Sequence, residues 1–294
     1  KIKKIKYNLD KLEFSIKDVL AYENNLYISI ERKLATCNTH EIYYAKLDNL
    51  NNLEFKKLFS PTECGERVEA GRIQIWEESS EKYILLSSHI SEHKRLKDES
   101  DPRAQSDNSI SGKILIIELD TGGYEIYSKG HRNILGLYTN QKENLILSTE
   151  NGPRGGDEIN FITRGSNYGW DISSYGTKYS TNKLSTEPDY KTNHEEYGFK
   201  EPIFSFVPSI GITEIIKIGK EFSNKWDNNF ILGSLNSKHI YRLKFDKNYS
   251  KLLFSEKIFV GERIRDLLYL KDEKKILMAM ESSGSVGILE NFND

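Results

Sequence analysis

Short apolar runs recur along the chain between clusters of Asn, Asp, Gly and Ser. The runs at 25–30, 82–86 and 113–117 are rich in Ile, Leu and Tyr. Runs of this length, bounded by turn-forming residues, are typical of β-strands. No long segment places apolar residues at the i, i+3, i+4 and i+7 positions of an amphipathic helix, so we expect little helix. The pattern predicts an all-β protein.

The strands fall into groups of about 40 to 60 residues, a spacing typical of the blades of a β-propeller. The groups cover 15–60, 68–129, 132–200, 202–260 and 263–290. Long polar insertions are predicted at 89–111 and 171–200. We therefore expect residues 1–294 to form one propeller domain of four-stranded antiparallel blades, five of which are visible.

The charge pattern limits the class of ligand. The net charge is −2, and acidic and basic residues are interspersed. This distribution provides no basic footprint for nucleic acid, and no apolar stretch approaches the roughly 20 residues of a membrane span. A small soluble ligand is the better expectation. The chain starts at Lys1, which is compatible either with a removed leader or with a trimmed start.

The two cysteines are too few for a disulfide framework and lack the spacing of a zinc site. Cys37 is predicted in the loop between the second and third strands of the first blade, and Cys64 in the link that leaves that blade. Both positions lie on the same face of an up-and-down blade. A disulfide and two separate thiols are both compatible with the sequence.

Three motifs stand close together in the middle of the chain. They are GHRN at 130–133, ENGPRGGDEIN at 150–160 and NYGW at 167–170. The motifs resemble the glucose/sorbosone dehydrogenase family, soluble six-bladed β-propellers that use pyrroloquinoline quinone (PQQ) and calcium to oxidise aldose sugars. The family pattern reads GHRNPQG, EHGPRGGDEIN and NYGWP. The resemblance covers nearly the whole chain but not the start of the family pattern.

The resemblance implies a PQQ site. The matching positions that contact or adjoin the cofactor are Arg132, Asn133, Asn151, Arg263, Arg265 and Ser282. A tricarboxylate suits several fixed guanidinium groups, and strand alternation places Arg263 and Arg265 on the same side. The alternative is that these arginines pair with acidic neighbours such as Asp157 or Asp266 and join the blades.

The resemblance also implies calcium. In the family, the residues matching Gly152 and Pro153 offer backbone carbonyls to the calcium that contacts the quinone, and hard calcium prefers such oxygens. Glu158 and Tyr168 match a second, structural calcium site. The alternatives are a turn without metal, and a Glu158 carboxylate paired with an arginine such as Arg154.

The chain departs from the family at the residue that removes the proton. The family carries a histidine in the pattern HxxGR, and the matching stretch here, 67–72, places Val68 at that position. General base catalysis is typically worth about 10²- to 10⁴-fold in rate. Asn236 stands where a lysine can contact the quinone. His89 or His93 could replace the missing base, or could be an exposed side chain of a polar loop.

These features predict a PQQ- and calcium-dependent aldose dehydrogenase, with catalysis impaired by the loss of the base. The alternative is a non-catalytic propeller that binds a sugar, a glycan or a protein on its upper face. The family suggests a periplasmic or secreted location. Residues 1–14 are expected to be a remnant of an earlier blade or a strand that closes the last one. The sequence identifies neither the sugar nor the electron acceptor.

Overall fold

The computed structural model describes residues 5–91, 102–179 and 189–291. Strands dominate this part of the chain, and its helices are single 3-10 turns at Pro102–Ala104, Gln141–Glu143, His194–Tyr197 and Asn224–Trp226. The chain forms two compact units. The first unit contains the described parts of Lys1–Asn133, Gln141–Glu143 and Thr163–Asp171, and the second those of Ile134–Asn140, Asn144–Ile162 and Ile172–Asp294.

The first unit contains two four-stranded antiparallel sheets. The first sheet consists of β2 (Phe14–Tyr22), β3 (Asn25–Lys33), β4 (Asn38–Lys46) and β6 (Lys56–Phe59). The second sheet consists of β7 (Arg67–Glu78), β8 (Glu81–Ser91), β9 (Lys113–Glu118) and β10 (Tyr124–Lys129).

A short parallel ladder accompanies the first sheet. Its strands are β1 (Lys6–Tyr7) and β5 (Asn52–Leu53). The described N-terminal residues therefore pair with another part of the first unit.

The second unit contains three antiparallel sheets. The third sheet consists of β11 (Asn133–Asn140, whose first residue belongs to the first unit), β12 (Leu145–Asn151), β13 (Asp157–Phe161) and β14 (Phe204–Phe206). The fourth consists of β15 (Ile212–Ile218), β16 (Asn229–Ser234), β17 (His239–Phe245) and β18 (Leu252–Phe259). The fifth has three strands among the described residues, β19 (Ile264–Leu270), β20 (Lys275–Met280) and β21 (Ser285–Glu290).

Apolar side chains from successive sheets of each unit form the cores. In the first unit, Ile42 and Phe59 of the first sheet join Ile73, Ile84 and Ile90 of the second sheet in one cluster. Burying such a side chain is worth roughly 1.5–3 kcal/mol. These shared cores explain why each sheet carries apolar residues on both faces.

The predicted all-β class and the five propeller blades are confirmed. One predicted boundary is wrong, because 202–206 were assigned to the fourth group. Residues Phe204–Phe206 instead pair with β13 and complete the third sheet. The reason is that an intervening segment of more than forty residues separates β14 from its partner strand, so no local pattern records the pairing.

Cys37 and Cys64 form a disulfide. Cys37 follows β3, and Cys64 follows β6, the outer strand of the same sheet. The bond therefore joins the loop and the outgoing link that the blade assignment placed on one face. Within the described ranges, no helix has the length and apolar character needed to cross a membrane.

Candidate functional site

Two of the sequence motifs pack against each other in the first unit. The backbone N–H of Tyr168 donates to the Lys129 carbonyl, and that of Trp170 donates to the Gly130 carbonyl, each at 2.9 Å. Gly130 has a φ of +76°, and a Cβ there would lie 2.1 Å from Asn167 Oδ1. Glycine is therefore required where the two motifs meet.

This packing orients Arg132. Its guanidinium lies 5.4 Å from the centroid of the Trp170 ring, and the residue is 7% exposed. The neighbouring His131 ring stacks on Tyr168 with a centroid separation of 4.7 Å and makes a 2.9 Å hydrogen bond with the Ser128 hydroxyl. An aromatic face restrains the orientation of a guanidinium that lies over it.

The position expected for the catalytic base lies in the apolar core. Val68 is 2% exposed and belongs to the cluster that contains Ile73 and Ile90. Its backbone N–H donates to Glu31 Oε1 at 3.0 Å. A valine in this environment is explained by packing, and it brings no titratable group to the site.

Asn133 lies beside the same stretch of β7. Its side-chain oxygen accepts a 2.9 Å hydrogen bond from the Ala70 backbone. The ladder between β7 and β8 shifts register after Ala70, and Gly71 adopts a φ of +108°. Arg72 follows, 6% exposed, with its guanidinium 3.5 Å from Asp18. The structure thus brings Asn133 together with the HxxGR-like stretch.

The predicted start of the polar loop at His89 is wrong. His89 lies within β8, opposite Glu69, and is 6% exposed. The next residue, Ile90, is paired with Val68 and shares its apolar cluster. Because side chains alternate along a strand, His89 faces away from that cluster. The strand continues through Ser87 and Ser88, and both serines are buried. His93, the other candidate, lies outside the described residues.

In the second unit, Arg263 and Arg265 converge on one carboxylate. Arg263 Nη2 lies 3.3 Å from Glu281 Oε1, and Arg265 Nη2 lies 2.5 Å from Glu281 Oε2. The shared partner places both arginine side chains on the same side. This shared partner, Glu281, was not among the acids named from the sequence. Asn236 Oδ1 accepts a longer hydrogen bond, 3.4 Å, from Arg263.

A second acid supports the same corner. Glu262 Oε1 accepts hydrogen bonds from the backbone N–H groups of Arg263, at 3.1 Å, and Ser282, at 3.0 Å. A hydrogen bond from the Ser282 side chain lowers the pKa of Glu262. Ser282 is therefore close to Arg263, and it is exposed.

Asp157 holds the Gly152–Pro153 turn. Asp157 Oδ1 accepts a hydrogen bond from the Gly152 backbone at 3.0 Å and lies 2.9 Å from the Ser209 hydroxyl. That hydroxyl is 3.3 Å from the Pro153 carbonyl oxygen. Asn151, the last residue of β12, is half-buried immediately before the turn.

Glu158 lies in a buried acidic environment. Its carboxylate is 3.5 Å from His194 Nε2 and 3.3 Å from the Asn160 amide nitrogen. Burial, followed by the charge of Glu150, raises the pKa of Glu158 well above its ordinary value. The alternative pairing with Arg154 is not found. Tyr168, the other residue predicted for the structural calcium, belongs to the first unit.

These residues fit the two groups that the sequence resemblance implies. The paired guanidinium groups of Arg263 and Arg265 already accommodate a carboxylate, the functional group that PQQ would present. The buried Glu150 and Glu158 carboxylates suit a hard cation. Among the described residues, no three His, Cys, Asp or Glu side chains converge as a metal site. Backbone carbonyls, such as those of Gly152 and Pro153, are further oxygen atoms of the kind that calcium binds.

The sequence reasoning missed Glu281. The register of the β19–β20 hairpin pairs Ile264 with Met280, which brings Glu281 beside Arg263. A hairpin pairing drawn from the alternating apolar residues of the two runs would have found this neighbour. His194 was missed as well, because it lies within the long insertion and nothing in its local sequence connects it to Glu158.

The sheets and the motif packing define a β-propeller with an arginine-lined corner. Residues 15–288 match the sequence model of the family described as Glucose / Sorbosone dehydrogenase, and the chain therefore belongs to that family.

Curated relatives match parts of the chain. A protein from Escherichia coli named Aldose sugar dehydrogenase YliI is 31% identical over 164 residues, which are 55% of this chain and 43% of the relative. Quinoprotein glucose dehydrogenase B from Acinetobacter calcoaceticus is 25% identical over 210 residues, covering 55% of this chain and 44% of the relative. The matches thus span less than half the length of these relatives.

Solved structures support the fold. The apo-form of the soluble aldose sugar dehydrogenase from Escherichia coli superposes with a TM-score of 0.75 at 22% identity, covering 91% of this chain and 79% of that one. The PQQ-bound aldose sugar dehydrogenase from Streptomyces coelicolor gives a TM-score of 0.62 at 19% identity, covering 91% and 75%. At these identities the likeness concerns the fold alone.

Proposed function

We propose that this protein binds PQQ and calcium and oxidises an aldose sugar, more slowly than a member with the family's base. The observation that carries the proposal is the convergence of Arg263 and Arg265 on one carboxylate. Family membership and the named activity of the Escherichia coli relative point in the same direction.

The residues of the chain divide the task of holding the cofactor. In the second unit, Arg263 and Arg265 would bind carboxylates of the cofactor, and Asn151 and Ser282 would offer further polar contacts. In the first unit, Arg132 and Asn133 would offer a guanidinium and an amide to a polar ligand. The carbonyls of Gly152 and Pro153 would bind one calcium ion, and the Glu158 carboxylate would be a ligand of a second, structural one. When bound, PQQ supplies the electron acceptor for a hydride from the sugar.

The proton of the sugar hydroxyl needs a separate acceptor, because Val68 cannot take it. Our proposal assigns this role to His89, which lies opposite Glu69 in the ladder of β7 and β8 and faces away from the apolar cluster that contains Val68. Its burial leaves an imidazole with little access to bulk water. We expect a buried His89 to accept the proton less effectively than the histidine at the family's base position. This accounts for the reduced rate that we expect.

The test is a titration of the purified protein with PQQ, with and without calcium, followed by the quinone absorbance. Aldoses are then added to the complex. Calcium-dependent binding and sugar-driven bleaching support the dehydrogenase, and His89→Ala should abolish the bleaching while PQQ still binds. Absence of PQQ binding would contradict the proposal. His239→Ala serves as a control for histidine removal.

A second function is favoured by the burial of Val68. With an apolar side chain at the base position, the propeller could bind a sugar, a glycan or a protein without redox chemistry. Calorimetric titration of the protein with aldoses and oligosaccharides in the absence of PQQ distinguishes the two. Binding of PQQ without bleaching by any aldose, together with saccharide binding, would favour this second function.

We also propose a periplasmic or secreted location. The disulfide between Cys37 and Cys64 is the supporting observation, because such bonds persist in oxidising compartments. Fractionation of the source cells, followed by thiol labelling of the recovered protein, tests the location. Recovery in a reducing compartment with both thiols free would contradict it.

A further inference from the structure

The arginine-lined corner of the second unit contains its own anion. Each oxygen of the Glu281 carboxylate faces a different guanidinium, that of Arg263 or that of Arg265. This is the arrangement in which two arginines would hold the carboxylate of a ligand. Glu281 therefore stands where a carboxylate of a bound molecule would be expected.

The charges at this corner nearly cancel. The two guanidinium groups face the Glu281 carboxylate, and a second carboxylate, that of Glu262, is held nearby by the backbone N–H groups of Arg263 and Ser282. A polycarboxylate approaching the corner meets repulsion from both acids as well as attraction to both arginines. The affinity for an anion consequently depends on whether the Glu281 side chain remains paired with the two guanidinium groups or rotates into solvent.

Glu281 can leave at little cost in packing. It follows β20 at the start of the turn that leads to β21, and its side chain is 35% exposed. The side chains of Arg263 and Arg265 are 33% and 45% exposed. An exposed ion pair of this kind is worth little, so rotation of the glutamate into solvent needs only a modest compensation.

We infer that Glu281 is an internal competitor that occupies the Arg263 and Arg265 guanidinium groups until a small polycarboxylate displaces it. The inference deepens the proposed function, since PQQ is one such polycarboxylate. A ligand with a single carboxylate replaces Glu281 without gain. One with two or three carboxylates can place a separate carboxylate against each guanidinium, so the exchange favours multiply charged anions.

The experiment measures anion affinity in the whole chain. Wild type and Glu281→Gln are titrated with citrate and with PQQ by calorimetry, and with acetate as the single-carboxylate probe. Glu281→Gln should bind citrate and PQQ about 3- to 10-fold more tightly, as expected for removing one exposed charge pair. Adding Arg265→Gln to that variant should abolish the gain.

The matched control is Glu290→Gln. Glu290 pairs with Lys275 at 2.7 Å in the same sheet and has a similar exposure, 31%. This variant should bind both anions as the wild type does, and urea unfolding confirms that each variant is folded. An equal gain in Glu290→Gln, or affinities of Glu281→Gln within twofold of wild type, would overturn the inference.

The two probes separate this inference from the proposed function. Tighter citrate binding in Glu281→Gln, with no PQQ binding by either protein, upholds the competitor and removes PQQ as the ligand. PQQ binding that is equal in both proteins upholds the cofactor and overturns the competitor. Absence of binding by either anion to both proteins overturns both.

Discussion

Asp157 Oδ1 accepts a hydrogen bond from the Gly152 backbone at 3.0 Å, so the acid that holds the turn lies within the same motif. Its other oxygen accepts hydrogen bonds from the backbone N–H groups of Ile210, Gly211 and Ile212, between 2.8 and 3.0 Å. One buried carboxylate thus fixes two segments of the second unit. The Asp157 side chain therefore fixes the conformation of the Gly152–Pro153 turn.

Replacing that carboxylate should loosen the turn. Asp157→Asn removes the charge and turns an amide N–H toward backbone donors, so we expect a loss of about 2–4 kcal/mol in the free energy of unfolding. Urea unfolding measures it. The control is Asp246→Asn, whose carboxylate also accepts backbone bonds but in an exposed turn, and which should lose less. Equal losses would contradict the argument.

Restoring a histidine at the family's base position should not restore a fast enzyme. The Val68 side chain lies in the apolar cluster, so Val68→His buries an imidazole there and should cost roughly 1–3 kcal/mol. Val68→Thr, nearly the same shape, is the control for polarity alone. Aldose-driven bleaching of the quinone is measured alongside urea unfolding. A rise of tenfold or more in the bleaching rate of Val68→His would refute this placement.

His40 should make stability depend on pH. It is fully buried, and burial, then the charge of Lys17, lowers its pKa to about 3, with Glu31 opposing. The unfolded chain binds the proton near pH 6.5, whereas the native state does not, so stability falls as the pH decreases from about 6.5 toward 3, at up to about 1.4 kcal/mol per pH unit.

The measurement is the urea midpoint of wild type and His40→Gln between pH 7 and pH 5, with His239→Gln as the control. The slope should flatten in His40→Gln and persist in the control. Below this window Glu31 also contributes, because its lowered pKa means that its stabilisation is lost on acidification. Identical slopes in all proteins would show that the His40 imidazole titrates alike in both states.

Lys113 should be indispensable to the loop before β9. The residue is fully buried, and its ammonium donates to the backbone carbonyls of Arg103, at 2.7 Å, Ala104, at 3.0 Å, and Ser111, at 2.7 Å. Lys113→Met leaves these carbonyls without their donor and should cost about 3 kcal/mol. Urea unfolding is the assay.

Lys129→Met provides the comparison, because the Lys129 ammonium contacts the Gln105 carbonyl in the same loop but remains partly exposed. It should lose less stability than Lys113→Met. If the two variants were equally stable, the carbonyls around Lys113 would have to be satisfied by water.

Much of the fold could be predicted because most strands are short apolar runs bounded by turn-forming residues. The apolar runs at 82–86 and 113–117 lie within β8 and β9, and turn residues separate them from their neighbours. The pairing of β14 could not be predicted in this way. Its three residues are too short for a pattern, and the partner strand lies before a long insertion.

In the candidate site too, residues of local motifs could be predicted and partners brought in by strand pairing could not. Arg132, Arg263 and Arg265 are visible in the sequence because they belong to short motifs. The acid that pairs with Arg263 and Arg265 is not visible in the same way. Glu281 lies beside Arg263 only because of the register of the β19–β20 hairpin. The serines around His89 suggested a polar loop. In the structure Ser87 and Ser88 are buried within β8, which continues past His89.

Because Cys37 and Cys64 form a disulfide, the stability of a protein sample depends on the redox conditions under which it was made. It closes a segment with a sequence separation of 27, and such a crosslink is worth about 3–4 kcal/mol through the restricted unfolded chain. Protein made in a reducing cytosol and protein exported through an oxidising route are then different molecules. Stabilities measured on two samples can be compared only when the thiol content of each is known.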